Sequence, residues 1–257
     1  MHNKSYICND IFNRKKTEME IQELEKMIRE KEGSLSLALP VLMRKVYLWM
    51  TLALAITAVT AYGVATSPGL MMAIYTNKAI MWGLIIGELA LVISVTAAIR
   101  RLSLTTATLL FILFSVINGA MLSSIFAVYS PMLITKVFLI TAGTFGIMAL
   151  YGYTTKRDLT SIGRLLFMGL IGIIIATLVN VFFVKSPGMD LIISYIGVLI
   201  FVGLTAWDTQ KIKQMLAMQT DVDESAQKIA LLGALSLYLD FINLFLYLLR
   251  IFGRSDS

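Results

Sequence analysis

The sequence predicts an all-α polytopic membrane protein with seven transmembrane helices. Three observations carry the prediction. Of 257 residues, 58% are hydrophobic and only 15% charged, where soluble domains carry roughly 25% charged residues. The apolar residues fall in runs near the roughly 20 residues that a helix needs to cross a bilayer core about 30 Å thick. Charged or turn-forming residues interrupt these runs at regular intervals.

Residues 1–40 form a polar N-terminal tail. From Thr17 to Glu32 it is rich in Glu, Lys and Met, with Ile21, Leu24 and Ile28 at helical spacing. This predicts a short amphipathic helix in a solvated cytoplasmic tail, or else one that lies on a membrane or binds a partner. Gly33, Ser34 and Pro40 mark its end. The tail lacks the 7–15-residue apolar core of a signal peptide, so insertion falls to the first true span.

The transmembrane domain, residues 41–257, has apolar runs at about 47–66, 79–99, 106–128, 132–153, 163–184, 190–209 and 229–251. The breaks are Ser67-Pro68-Gly69, Arg100-Arg101, Ser130-Pro131, Lys156-Arg157-Asp158, Ser186-Pro187-Gly188 and the polar stretch from Lys211 to Lys228. Arg44, Lys45, Arg100, Arg101, Lys156, Arg157, Arg164, Lys211, Lys213 and Lys228 gather on one side, against Lys78, Lys136 and Lys185 on the other. The positive-inside bias predicts a cytoplasmic N-terminus and an external C-terminus, with Arg250 and Arg254 opposing the latter. Gly83, Gly87, Gly143, Gly146, Gly169 and Gly172 predict close helix approaches. No internal repeat of the kind that marks many transporters is visible.

The formal charge of +6 is spread over short loops and does not form a nucleic-acid footprint. The single Cys8 and single His2 both sit in the tail. This excludes disulfides, Cys/His metal sites and histidine-based nucleophilic catalysis within the membrane.

An ionised group in hydrocarbon costs on the order of 3 kcal/mol or more, so intramembrane acids call for water, a cation or a proton. Glu88, Asp208 and Asp240 stand out. Glu88 lies mid-span with no cation within two turns of its own helix. Asp240 lies about 16 Å into the last run. Asp208 falls at the cytoplasmic end of the sixth run, from which the next helix starts on the same side. The two aspartates therefore can meet, and two adjacent carboxyls share a proton and titrate as a pair. Arg100 and Arg101 emerge on that side and are candidates for a latch to Asp208. Plainer readings stay open: an interfacial Asp208–Lys211 pair, a structural hydrogen bond at Asp240, a protonated Glu88 that glues helices, and arginines that set topology. Asn118, Asn180 and Asn243 read as interhelical hydrogen-bond glue.

The segment Ala-Leu-Ser-Leu-Tyr-Leu-Asp-Phe-Ile-Asn-Leu-Phe at 234–245, Asp208-Thr-Gln-Lys-Ile, and Thr141-Ala-Gly-Thr-Phe followed by Lys156-Arg-Asp-Leu resemble the Bax inhibitor-1 family, in a bacterial member, over roughly residues 44–253. The resemblance implies seven helices with the last one central and surrounded by the other six. It also implies a pH-sensitive calcium leak in which Asp208 and Asp240 sense protons, Glu88 lines the pore or holds the ion, and an arginine ending the second helix is the latch. Arg100 and Arg101 lie one residue further from Glu88 than that pattern sets.

The resulting expectation is a cation leak channel, not an enzyme, in a bacterial inner (plasma) membrane. Calcium is its permeant ion and no cofactor is tightly bound. Glu88, Asp208 and Asp240 are the metal-contacting groups, since calcium selects carboxylate and carbonyl oxygens. Three acids make a weak, hydrated permeation site and not a full calcium cage. A second reading is a non-conducting regulator of stress response or proteolysis that binds a membrane protein partner. A third, an intramembrane aspartyl protease, lacks the Gly-x-Gly-Asp element expected beside its aspartates.

Overall fold

A computed structural model describes the backbone of residues 3–99, 101–219 and 221–255. It contains α1 (Asn3–Ala65), α2 (Pro68–Thr76), α3 (Lys78–Ala98), α4 (Leu104–Leu122), α5 (Ile125–Val128), α6 (Pro131–Thr154), α7 (Thr160–Val179), α8 (Pro187–Ala217) and α9 (Glu224–Ser255), with a π-helical turn at Asn180–Val184. There is no strand among the described residues. Seven stretches are long and apolar enough to cross a membrane: Ala38–Ala65, Lys78–Ala98, Leu104–Val128, Pro131–Thr154, Thr160–Val184, Pro187–Ala217 and Glu224–Arg254. The chain is an all-α polytopic membrane protein.

Local chemistry starts and stops these helices. Pro68, Pro131 and Pro187 open α2, α6 and α8, where a missing N–H costs nothing. The side chains of Asn77, Ser103, Ser130 and Ser186 accept from the first free backbone N–H groups of α3, α4, α6 and α8, as N-caps do. One expected helix end does not form and one break begins later than expected. The expected end of the tail at Gly33–Pro40 is absent, and α1 runs through Pro40 into the first span. The burial of Ala38, Leu42, Met43 and Val46 offsets the hydrogen bond the proline removes. The polar stretch after Lys211 stays helical to Ala217, because Ile212 and Leu216 are buried. Asp208 therefore lies well inside α8 and not at its end. Helix α2 has no counterpart in the predicted spans. It is held by Tyr75, whose hydroxyl donates to the Met121 carbonyl at 2.7 Å.

Helix α9 occupies the middle of the bundle. Its membrane window is 67% buried, against 6% for α3 and 11% for the α7 span. It packs against α1, α4, α6 and α8, whereas α3 rests on α4 and α7 on α8. The last helix is thus central, but four spans and not six form its close shell. Tyr238 and its T-shaped contacts with Phe111 and Phe114, at 6.0 and 5.6 Å between centroids, lie at the α4–α9 crossing.

The close approaches are made mostly by other glycines than those expected. A Cβ on Gly83, Gly87, Gly143, Gly146 or Gly172 would meet nothing within 4 Å, and on Gly169 only the Ile200 side chain at 3.0 Å. At Gly152 a Cβ would lie 2.1 Å from the Ala206 carbonyl oxygen, and at Gly119 it would lie 2.6 Å from that of Thr57. Those two positions bring the α6 and α8 backbones, and the α1 and α4 backbones, into contact. Gly163 leaves room for the Trp207 ring in the same way.

Candidate functional site

Along α9, Ser236, Asp240, Asn243 and Tyr247 recur at intervals of four, three and four, so they form one stripe of the helix. That stripe borders a cavity of about 580 Å³ whose walls come from α3, α4, α7, α8 and α9. Glu88 lines it from α3, and Asp208 and Lys211 line it from α8. The structure thus brings Glu88, Asp208 and Asp240 to one chamber. Apolar and aromatic side chains, among them Phe114, Phe167, Phe201 and Trp207, make up most of the remaining wall.

Within the chamber the acids divide. Asp208 and Asp240 face each other across the α8–α9 contact and their side chains interact directly. Asp240 is 5% exposed, and its Oδ2 is buried with no hydrogen-bond partner among the described residues. Lys211, one turn on from Asp208, is the cation that acts on both. Its ammonium lies over the Trp207 ring, 4.9 Å from the centroid.

Glu88 turns to a different set of partners. Its Oε1 accepts from Asn118 Nδ2. Asn118 Oδ1 accepts from the Tyr238 hydroxyl at 2.9 Å, and that hydroxyl is also 2.7 Å from Thr57 Oγ1. Thr57 reaches the Ser115 carbonyl at 3.0 Å. A chain of polar groups from α1, α9 and α4 therefore ends on the Glu88 carboxyl. Asn118 is interhelical, as expected. Tyr238 and Thr57 were not singled out from the sequence, because nothing in the spacing shows which buried hydroxyl meets which helix.

Three expectations change. No group of three His, Cys, Asp or Glu side chains among the described residues is close enough to hold a metal ion. Glu88, Asp208 and Asp240 share a chamber without converging on a point, because Glu88 is drawn toward Asn118 while the aspartates face each other. Arg101 is exposed between α3 and α4, and no ion pair joins it to Asp208 among the described residues. Ile99, at the end of α3, borders a different cavity with Met215, seven residues or about 10 Å along α8 from Asp208. Arg100 lies outside the described residues. Asn180 joins two spans, as expected, and Asn243 does not. Asn180 closes the turn before α8 by bonding Ser186 and Asp190, and Asn243 donates to Leu239 of its own helix.

The polar residues next to Asp208 support the frame. Gln210 accepts from Leu159 N at 2.8 Å and donates to the Arg157 carbonyl at 2.7 Å, which ties the α6–α7 connection to α8. Lys213 donates to the Tyr153 carbonyl at 2.7 Å, where the end of α6 leaves carbonyls free. In that connection Asp158 accepts from Thr160 N, and the hydrogen bonds of Thr160 hold its carboxyl below the usual carboxylate range.

The family model described as inhibitor of apoptosis-promoting Bax1 matches residues 39–257. The chain is 53% identical over 214 residues to inner membrane protein YbhL of Escherichia coli strain K12, covering 82% of this chain and 91% of that protein. It is 46% identical over 213 residues to a protein of Borreliella burgdorferi, covering 83% and 91%. It is 40% identical over 214 residues to a protein of Deinococcus radiodurans, covering 83% and 90%. Seven apolar spans and this likeness make it an integral protein of a bacterial inner membrane.

Proposed function

We propose that this chain, which belongs to the Bax inhibitor-1 family, is a passive cation leak for which calcium is the permeant ion, regulated by protons at Asp208 and Asp240. The observation that carries the reading is the single chamber lined by Glu88, Asp208 and Asp240 inside the bundle. A chamber of about 580 Å³ holds an ion with much of its water, which suits a weak transit site better than a tight cage. Glu88 is the ion contact, held in place by Asn118. The aspartates are the switch: two buried carboxyls face to face share a proton, and gaining or losing it alters their repulsion and so the α8–α9 contact. Lys211 is the cation that opposes their charge, in the place where a latch arginine was expected. The N-terminus is cytoplasmic in this reading, and the role is not catalytic.

Calcium flux into liposomes that contain the purified protein, followed across pH, tests the proposal. Flux is expected to depend on pH and to lose that dependence in Asp240→Asn. No flux at any pH, or an unchanged profile in Asp240→Asn, would overturn it. One feature favours the second reading, a non-conducting regulator: Ile21, Leu24 and Met27 are exposed on the N-terminal part of α1, as a partner-binding face would be. Deletion of residues 1–37 separates the two readings, since a leak survives it and a partner-dependent role does not.

A further inference from the structure

The chamber has two features that a small inorganic ion does not call for, and a third that suits any cationic head. Its wall is largely aromatic and aliphatic. It is also bounded on one side by α3 and α7, which are not packed on one another. The rim residues there are Leu89 and Ile93 of α3, 60% and 63% exposed, and Phe167 and Ile174 of α7, 52% and 49% exposed. Both helices cross the membrane, so this side faces lipid tails. Finally, a carboxyl oxygen of Asp240 at the inner wall is buried without a partner.

We infer that the chamber is a binding site for an amphiphilic organic amine, an ammonium head on an apolar chain, that enters sideways from the bilayer between α3 and α7. The charged groups facing the chamber are the carboxyls of Glu88, Asp208 and Asp240 and the ammonium of Lys211. The balance favours a cation. Lys211 lies over the Trp207 face, and its one ammonium stands against three carboxyls. An ammonium head placed there meets the Asp240 and Glu88 carboxyls, in a wall that also holds the aromatic rings of Phe114, Phe201 and Tyr247, groups that attract a cation. The chain lies along Leu89, Ile93, Phe167 and Ile174, where it exchanges lipid contact for protein contact at little cost. A carboxylate-headed amphiphile of the same length meets three acids and is rejected. The inference uses the chamber of the proposed leak but does not require that ions pass through it.

The full-length protein in phosphatidylcholine vesicles tests this, with Trp49→Phe and Trp82→Phe leaving Trp207 as the only indole. The probes are three nitroxide-bearing dodecyl chains with ammonium, hydroxyl or carboxylate heads, read as quenching of Trp207 and by displacement with dodecylamine. The ammonium probe is expected to quench saturably. Its half-saturation should rise at least tenfold in Asp240→Asn, and several-fold in Glu88→Gln, which keeps a measurement available if the first variant does not fold. The hydroxyl and carboxylate probes should quench only in proportion to their lipid concentration. Ile93→Trp would add an indole, so Ile93→Phe with Leu89→Phe narrows the portal instead, and should slow ammonium quenching at least threefold. Equal, non-saturating quenching by all three heads, or saturation unchanged in both acid variants, overturns the inference. Calcium flux measured on the same vesicles separates the two ideas: saturable binding without flux refutes the leak alone, and flux without saturable binding refutes the amine site alone.

Discussion

Gly152→Ala is a one-carbon change whose effect should reach both stability and the aspartate pair. A Cβ at 152 would sit 2.1 Å from the Ala206 carbonyl oxygen and 2.9 Å from its Cα. To reach an ordinary contact of 3.4 Å, the α6 and α8 backbones must part by roughly 1.3 Å, because a helical carbonyl cannot rotate away as a side chain does. Overpacking costs about 1–3 kcal/mol, and alanine returns about 0.8–1 kcal/mol of helix propensity. With backbone as the obstacle the upper part of the range applies, leaving a net loss of about 2 kcal/mol, or about 4–8 °C in Tm for a chain of this size. Gly146→Ala on the same helix is the control. It meets nothing within 4 Å, so its Tm should hold or rise by a few degrees. Thermal unfolding of both variants in detergent makes the comparison. Asp208 lies two residues beyond Ala206, so Gly152→Ala should also alter the pH profile of calcium flux. Equal Tm values for the two variants would refute the backbone-contact argument.

Other perturbations address the remaining parts. Tyr238→Phe keeps the ring contacts and removes the bonds to Thr57 and Asn118. Interhelical bonds in membranes average about 0.6 kcal/mol, with about 1.7 as the largest, so a Tm drop of a few degrees is expected, and no change would show that the chain of polar groups does not hold the helices. Gln210→Ala leaves Leu159 N and the Arg157 carbonyl without their partner, so protease cleavage between residues 155 and 159 should accelerate at neutral pH. Asp158 has a lowered pKa in the folded protein. The stability it contributes is therefore present above the ordinary value near 4 and lost as pH falls through the lower folded value. The difference in Tm between wild type and Asp158→Asn should shrink below about pH 4, as followed by calorimetry.

Much of this protein is legible in one dimension. Runs of about 20 apolar residues and the turns between them respond only to the cost of placing polar backbone and charge in hydrocarbon. The seven spans, the rarity of Glu88, Asp208 and Asp240, and the breaks at Ser130-Pro131 and Ser186-Pro187-Gly188 follow from that cost. The chain stays helical through Pro40 and on to Ala217 because tertiary burial of Leu42, Ile212 and Leu216 overrides a local breaker or a polar stretch.

Tertiary structure alone decided how each helix is turned about its axis. A span that is apolar on all sides carries little sign of which face is inward. For this reason Gly83 and Gly87 look like packing glycines yet touch nothing, while Gly119 and Gly152 make the close crossings. The same rotation sends Glu88 to Asn118, pairs Asp240 with Asp208, and turns Tyr238 to the opposite side of α9 from the chamber. The sequence by itself determined that this is a seven-span membrane protein with three costly acids. Their arrangement around one chamber, open between α3 and α7, comes from contacts among residues far apart in the chain, which no local pattern encodes.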